Sequence, residues 1–225
     1  MKKLLILLFI CCYSAIFSQG NDNKKAYVLF DALIDQKNLE INTGVKYIEI
    51  HRTQRNEHQF FKEKKPKEGT ISYNNQLYYN VPLMYDTYNN DLIVYVNSIY
   101  NRYLLILDKE KVSYFTIDNI RFEKTKEFGY TQILQSKGNN KLYKLNRRIL
   151  KKRYTLKNSF SKFLKDNSYK LLASKITYNP LKRNEWIKAF PSSKSTIQFF
   201  FKSNKGLLKS NPERFMINLF KTLNQ

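Results

Sequence analysis

Residues 69–122 read GTISYNNQLYYNVPLMYDTYNNDLIVYVNSIYNRYLLILDKEKVSYFTIDNIRF, and the fold follows from the way apolar runs and turn residues alternate along them. Thr70 to Tyr73 and Gln76 to Tyr85 are separated only by Asn74-Asn75, a pair that accepts the positive φ of a two-residue hairpin turn. Leu77, Tyr79, Val81, Leu83 and Tyr85 recur at every second position, which predicts one shared sheet face. Pro82 has no N–H to give a ladder, so this strand is expected at a sheet edge or with a bulge. Asp86 to Asp91 supplies the next reversal. Leu92 to Val96, Tyr103 to Leu107 and Val112 to Ile117 follow as strands, turned by Asn97 to Asn101 and Asp108 to Lys111. The continuous run Leu104-Leu105-Ile106-Leu107 implies a strand covered on both faces. The expected fold is mainly β (α+β): an antiparallel meander forming a curled sheet or partly open barrel, with two or three short C-terminal helices.

Upstream, Lys2-Lys3 precedes an apolar run from Leu4 to Phe17, and Ser18-Gln19 offers a small residue at a cleavage point. This predicts a secretory signal over residues 1–18. The run is short of the ~20 residues that span a bilayer, and Ile10 stands before Cys11 where a lipoprotein signal asks for a small residue. Both cysteines, Cys11 and Cys12, lie inside the signal. A mature chain cut near Ser18 therefore has no thiol and no disulfide, and its stability must come from its core. About 207 residues remain, with aromatic residues at 15% of the sequence. They are read as an antiparallel β domain over 19–179 and a helical segment over 180–225 packed on it.

Around the meander the pattern is mixed. Asn21 to Asn42 is neither cleanly alternating nor cleanly helical, and its class stays open. Val45 to His51 reads as a first strand. Arg52 to Glu68, charged and carrying Pro66, reads as a surface loop pinned by Phe60-Phe61. Gly129 to Leu134 and Leu142 to Leu145 flank Gly138-Asn139-Asn140 as a second hairpin. Lys141 to Arg153 fits a helix through Leu142, Leu145 and Ile149 and a strand through Tyr143 and Leu145; the preceding turn needs a partner, which selects strand. Tyr169 to Leu172 and Lys175 to Tyr178 are further strand candidates. Then the period changes. Leu181, Trp186, Ile187 and Phe190 mark a helix stopped by Pro191, and Ile197, Phe200 and Phe201 mark a second ending near Gly206. Asn211 as N-cap, Pro212 at the first position and the stripe Phe215, Met216, Leu219, Phe220 and Leu223 define a third. That stripe is expected to dock on the sheet, although Lys209, Arg214 and Lys221 would also suit a membrane surface.

Several short motifs recur together here: Gly44 to Tyr47 (Gly-x-x-Tyr), His58 to Phe61 (His-x-Phe-Phe), Tyr73 to Tyr78, and Leu83 to Asp86 (Leu-x-Tyr-Asp). Ala189-Phe190-Pro191, then Ile197 leading to Lys202-Ser203-Asn204 and a final short helix complete the set. In these the chain resembles a group of uncharacterised secreted proteins common in flavobacteria and related Bacteroidota. The resemblance implies export into a Gram-negative envelope, to the periplasm or the outer and extracellular side, and implies no activity.

No residue set points to catalysis. His51 and His58 are seven apart with Glu57 beside the second, short of the three or four converging ligands that zinc needs. Asp86 and Asp91 have the chemistry of an acid and base pair for a glycoside, but both sit where aspartate forms turns. There is no Gly-x-Ser-x-Gly, and six scattered glycines build no phosphate loop. No cofactor is expected.

Charge is the strongest global feature: formal net +22, or +20 once Lys2 and Lys3 leave with the signal. Seven of the thirteen residues from Lys141 to Arg153 are basic, namely Lys141, Lys144, Arg147, Arg148, Lys151, Lys152 and Arg153. They form a candidate polyanion site, set against the plainer reading that Lys, Asn, Ile, Tyr and Phe are abundant by composition and the charges solvate a surface. The sequence thus favours a non-catalytic binding or interaction module of the cell envelope. Its partner would be an anionic envelope polymer, such as lipopolysaccharide or an acidic glycan, or another envelope protein; an export signal disfavours nucleic acid. The rival class is a secreted hydrolase using Asp86, Asp91 or His58.

Overall fold

The computed structural model describes residues 24–29, 39–53, 56–97, 102–154 and 159–224. The expected signal over 1–18 lies outside them. Strands β1 (Val45–Lys46), β2 (Lys67–Tyr73), β3 (Gln76–Asp86), β4 (Asp91–Asn97), β5 (Arg102–Ile106) and β6 (Val112–Ile117) carry the central meander. After them come β7 (Ile120–Thr125), β8 (Gly129–Lys137), β9 (Asn140–Leu145), β10 (Arg148–Tyr154), β11 (Ser159–Lys165), β12 (Ser168–Ala173) and β13 (Ile176–Tyr178). Eleven of these form one open antiparallel sheet in the order β1-β5-β4-β3-β2-β6-β7-β8-β9-β12-β13, while β10 and β11 pair apart from it as a two-stranded ribbon. The fold class read from the sequence is the observed one.

Two-residue turns with both central residues at positive φ close several of the tight hairpins. Asn74-Asn75 turns β2 into β3 at φ 48° and 63°, and Asp118-Asn119 turns β6 into β7 at 51° and 61°. Their short polar side chains tolerate this region and match the twist of the flanking strands.

Curling follows from one short link. Four inter-strand steps separate β5 from β6, a span of ~19 Å in a flat sheet. Leu107 to Lys111 must bridge it, but this segment is turned rather than extended. The Glu110 N–H donates to Asp108 Oδ1 (2.9 Å), and the Lys111 N–H donates to the Asp108 carbonyl (3.2 Å). The sheet therefore bends to bring β5 and β6 toward one another. Inside the bend lies the main core, with Ile71, Tyr73, Leu83, Tyr85, Leu92, Phe115, Phe122 and Tyr130 all fully buried. Phe115 and Phe122 stack at 4.8 Å between centroids, and Tyr85 meets both edge-on.

The structure corrects three expectations. Strand β3 lies between β2 and β4 and is no edge. The bulge does occur, at Tyr79-Asn80, where two residues oppose one between the pairs Gly69↔Val81 and Ile71↔Tyr78 and Asn80 turns to φ 56°. The face therefore switches phase. Tyr78, Val81, Leu83 and Tyr85 point inward, while Leu77 and Tyr79 leave that face. Pairing with β4 stops at Leu83, so Pro82 stands just past the point where an N–H is asked of it. The first strand is only Val45–Lys46, paired with Ile106 and Leu105 of β5, and one further bond, from the Tyr47 N–H to the Leu104 carbonyl (2.8 Å), follows it. Finally, the second expected helix stops at Ser203, not at Gly206. Asn204 Nδ2 caps the Phe200 carbonyl (3.0 Å), and Gly206 falls inside the next helix.

The described helices are α1 (24–29), α2 (Arg183–Ala189), α3 (Lys194–Ser203), α4 (Lys205–Ser210) and α5 (Pro212–Leu223). Asn211 Oδ1 accepts the Arg214 N–H (2.9 Å) and Pro212 opens α5, which buries Phe215, Met216, Leu219 and Phe220. These four join Leu142 of β9, Leu171 of β12, Trp186, Ile197 and Phe201 in a second core. Helix α5 thus docks on the sheet. A third small cluster, Phe60, Met84 and Ile93, covers the outer face of β3 and β4, and Phe61 packs edge-on against Phe122 at 5.1 Å.

Candidate functional site: a basic cleft beside the ribbon

The site is built on the turn between β3 and β4. Asp86 is fully buried and its carboxylate accepts from the Tyr88 N–H (2.8 Å), the Asn89 N–H (3.0 Å) and Asn89 Nδ2 (3.0 Å). Burial pushes its pKa up, and these donors oppose the shift. Next to it the Thr87 hydroxyl and N–H both donate to the Gln59 carbonyl, at 2.7 and 3.1 Å, and the Thr87 carbonyl accepts from the Arg148 N–H (3.3 Å). This turn therefore ties the segment around residue 59 to the start of the ribbon.

Arg147 is the second tie. Its Nη1 donates to Tyr85 Oη (3.0 Å) and Asn90 Oδ1 (2.9 Å), and its Nη2 donates to the Phe128 carbonyl. The buried Tyr85 hydroxyl is pushed up to about 12 by desolvation, with Arg147 pulling the other way. Gly129 sits at φ 67° against the same cluster. A Cβ there would fall 2.2 Å from Asn90 Nδ2, so only glycine fits.

From these anchors β10 and β11 project as seven antiparallel rungs, Arg148↔Lys165 to Tyr154↔Ser159. The ribbon is held along its length by Phe163 N–H to the Glu57 carbonyl (3.1 Å) and Ser161 N–H to the Arg52 carbonyl (2.9 Å). Phe163, buried, packs edge-on at 5.1 Å against both His51 and Tyr88. At the foot of the ribbon opens a cleft of about 310 Å³ with Lys62, Lys144, Arg147, Arg148 and Lys165 on its walls and Glu213 as its lining acid.

The seven basic residues singled out in the sequence fall into different roles. Lys141 pairs with Glu123 and Lys144 with Glu213, each at 2.6 Å, and Arg147 is committed to the Tyr85 cluster. Arg148 is half-buried in the cleft; desolvation lowers its pKa and the nearby Asp86 opposes this. Lys151 and Lys152 are exposed along β10. The Arg153 side chain lies outside the described residues. Like charges face each other on two rungs, Arg148 with Lys165 and Lys151 with Lys162. Glu57 offsets Lys162 at 2.6 Å. No acid among the described residues lies within ion-pair distance of Arg148 or Lys165. Lys165 and Lys62 were beyond sequence reasoning; Lys165 joins the site only through its register with Arg148.

The carboxylates and histidines weighed for hydrolysis do not converge on this cleft. Asp86 is taken up by its turn, and Asp91 pairs with Lys109 at 2.7 Å. His58 is buried, its Nδ1 accepts the Phe60 N–H (3.2 Å), and burial followed by the Arg148 charge holds its pKa low. Among the described residues no three His, Cys, Asp or Glu side chains form a metal-binding group, and no helix is long and apolar enough to cross a membrane. What the cleft offers chemically is two cations without an acid partner among the described residues, Arg148 and Lys165, since Lys62 pairs with Asp118 (3.1 Å), Lys144 with Glu213, and Arg147 is held by the Tyr85 cluster. Comparison with protein-family models, curated proteins and solved structures finds no match to this chain.

Proposed function

We propose that the protein is a non-catalytic binding module of the cell envelope, exported to the periplasm or outer surface of a Gram-negative bacterium. Its cleft takes a phosphate or carboxylate group of an anionic envelope polymer. The observation that carries this reading is the Arg148–Lys165 rung. Two cations held opposite each other at the mouth of a cleft repel, and an anion seated between them relieves that repulsion. Arginine suits this role because its planar fork donates two hydrogen bonds to one oxyanion. Lys152, four residues beyond Arg148 on the same face of the ribbon and exposed, continues the charge along it, so a polymer gains a contact beyond the first group.

The test compares two variants that each lose two charges, Arg148→Gln/Lys165→Gln and Lys137→Gln/Lys175→Gln, binding lipopolysaccharide or an acidic glycan across a salt series. Lys144 and Arg147 are left intact because their partners are structural. The cleft variant is expected to bind about tenfold more weakly than the control variant, from the charge-assisted hydrogen bonds lost, and to show a shallower dependence of log affinity on log salt. Equal losses in both variants would mean that net charge alone attracts the polymer.

A further inference from the structure

The helical end of the molecule carries a second basic surface, separate from the cleft. An open groove of about 1180 Å³ runs between α2 and the α3–α4 pair. Helix α3 has two apolar faces. Ile197 and Phe201 are buried in the core beneath it, while Phe199 lines the groove with 71% of its surface exposed. Leu181 at the rim is also exposed, at 44%. Lys182, Arg183 and Lys188 stand on one wall, Lys202 and Lys205 on the other. The groove's acid, Glu185, is bonded to Lys188 (2.8 Å). Among the described residues no acid lies within ion-pair distance of the remaining four cations.

An aromatic ring standing clear of the fold inside a frame of unpaired cations is complementary to one kind of surface: anionic headgroups outside, hydrocarbon beneath. A second copy of the chain does not fit, since these cations would then face others on a molecule of net +22, or +20 without Lys2 and Lys3. Nor does α5 compete for the role, because its apolar stripe is already buried. We infer that this face docks on an anionic lipid bilayer, with Phe199 entering the headgroup and acyl boundary and Lys182, Arg183, Lys202 and Lys205 meeting lipid phosphates. The protein lies on the surface through α3 and does not span it.

The test uses the full chain with vesicles of phosphatidylcholine alone and of phosphatidylcholine mixed with phosphatidylglycerol. Cosedimentation is expected only with the mixed vesicles. Phe199→Ser is expected to weaken it about tenfold, the effect of withholding one buried phenyl ring, and being an exposed change it leaves the fold intact. Lys182→Gln/Arg183→Gln is expected to weaken it as well, while Arg148→Gln/Lys165→Gln leaves it unchanged, which separates this surface from the cleft. In a Phe199→Trp variant, lipids brominated on their acyl chains are expected to quench fluorescence above the constant background of Trp186, which is fully buried. The inference is overturned by absence of binding to mixed vesicles, by equal binding to neutral ones, by unchanged binding of Phe199→Ser, by loss of binding on changing the cleft, or by absence of quenching.

Discussion

Tyr85 and Tyr130 pack edge-on at 5.9 Å in the same core, yet their hydroxyls have opposite fates. Tyr85 Oη accepts from Arg147 and donates toward Asn90 Oδ1 (2.9 Å) or the Tyr130 carbonyl (3.3 Å). Tyr130 Oη is buried with no hydrogen-bond partner among the described residues. An unsatisfied buried hydroxyl costs about 1–3 kcal/mol, whereas removing one member of a bonded pair strands the other. Tyr130→Phe is therefore expected to raise the urea midpoint and Tyr85→Phe to lower it, with the second change leaving the Arg147 guanidinium short of an acceptor. A lower midpoint for Tyr130→Phe would contradict this account.

Among the elements, α5 gives the cleanest test. Phe220 is 2% exposed within the second core, and truncation of such a side chain typically costs about 3–5 kcal/mol. Phe220→Ala is expected to lower the unfolding midpoint by that order in chemical denaturation; an unchanged midpoint would detach the tail from the core. This helix was legible in the sequence because cap, proline and stripe all agree. The β2–β3 hairpin was legible for a similar reason, since Asn74-Asn75 carry their turn conformation in their own chemistry. Asp118-Asn119 carries the same chemistry, and β7 beyond it went unread because Ile120 to Thr125 lacks a long apolar run. Pro82 signalled a bulge as one alternative, but its place at Asn80 was hidden, because an unbroken alternation from Leu77 to Tyr85 looks identical whether or not one residue is looped out. The candidate site was legible only as charge. Which cations remain unpaired depends on Glu123 and Glu213, distant in sequence, and the ribbon depends on Ser159–Lys165, where Phe163 and Leu164 stand side by side without alternation.

At the scale of the whole molecule, tyrosine burial sets a limit in alkali. Burial is the largest cause raising the pKa values of Tyr47, Tyr73, Tyr85, Tyr130, Tyr143 and Tyr169, to about 12 for Tyr85 and Tyr169. Unfolded tyrosine loses its proton near pH 10. Above that pH the unfolded chain binds fewer protons than the folded one, so stability is full below about pH 10 and falls as pH rises toward 12. For Tyr85 alone the loss reaches roughly 2 kcal/mol by pH 12, where the folded phenol is itself half ionised. Urea unfolding at about pH 9, 10 and 11 is expected to show a steepening fall across that series, from linkage to these phenols; a flat profile would place them in water.

The turned link from Leu107 to Lys111 also bears on how the molecule assembles. Most ladders of the sheet join strands adjacent in sequence and can form locally, but β2 meets β6 through Ile71 and Phe115, with three other strands between them in the chain. Closing that loop carries an entropic cost before any contact is returned. Non-local pairing of this kind slows folding. The β2–β6 seam is therefore where the meander's hairpins wait for one another, and together with the β1–β5 and β9–β12 ladders it makes the sheet depend on contacts that no single hairpin can form alone.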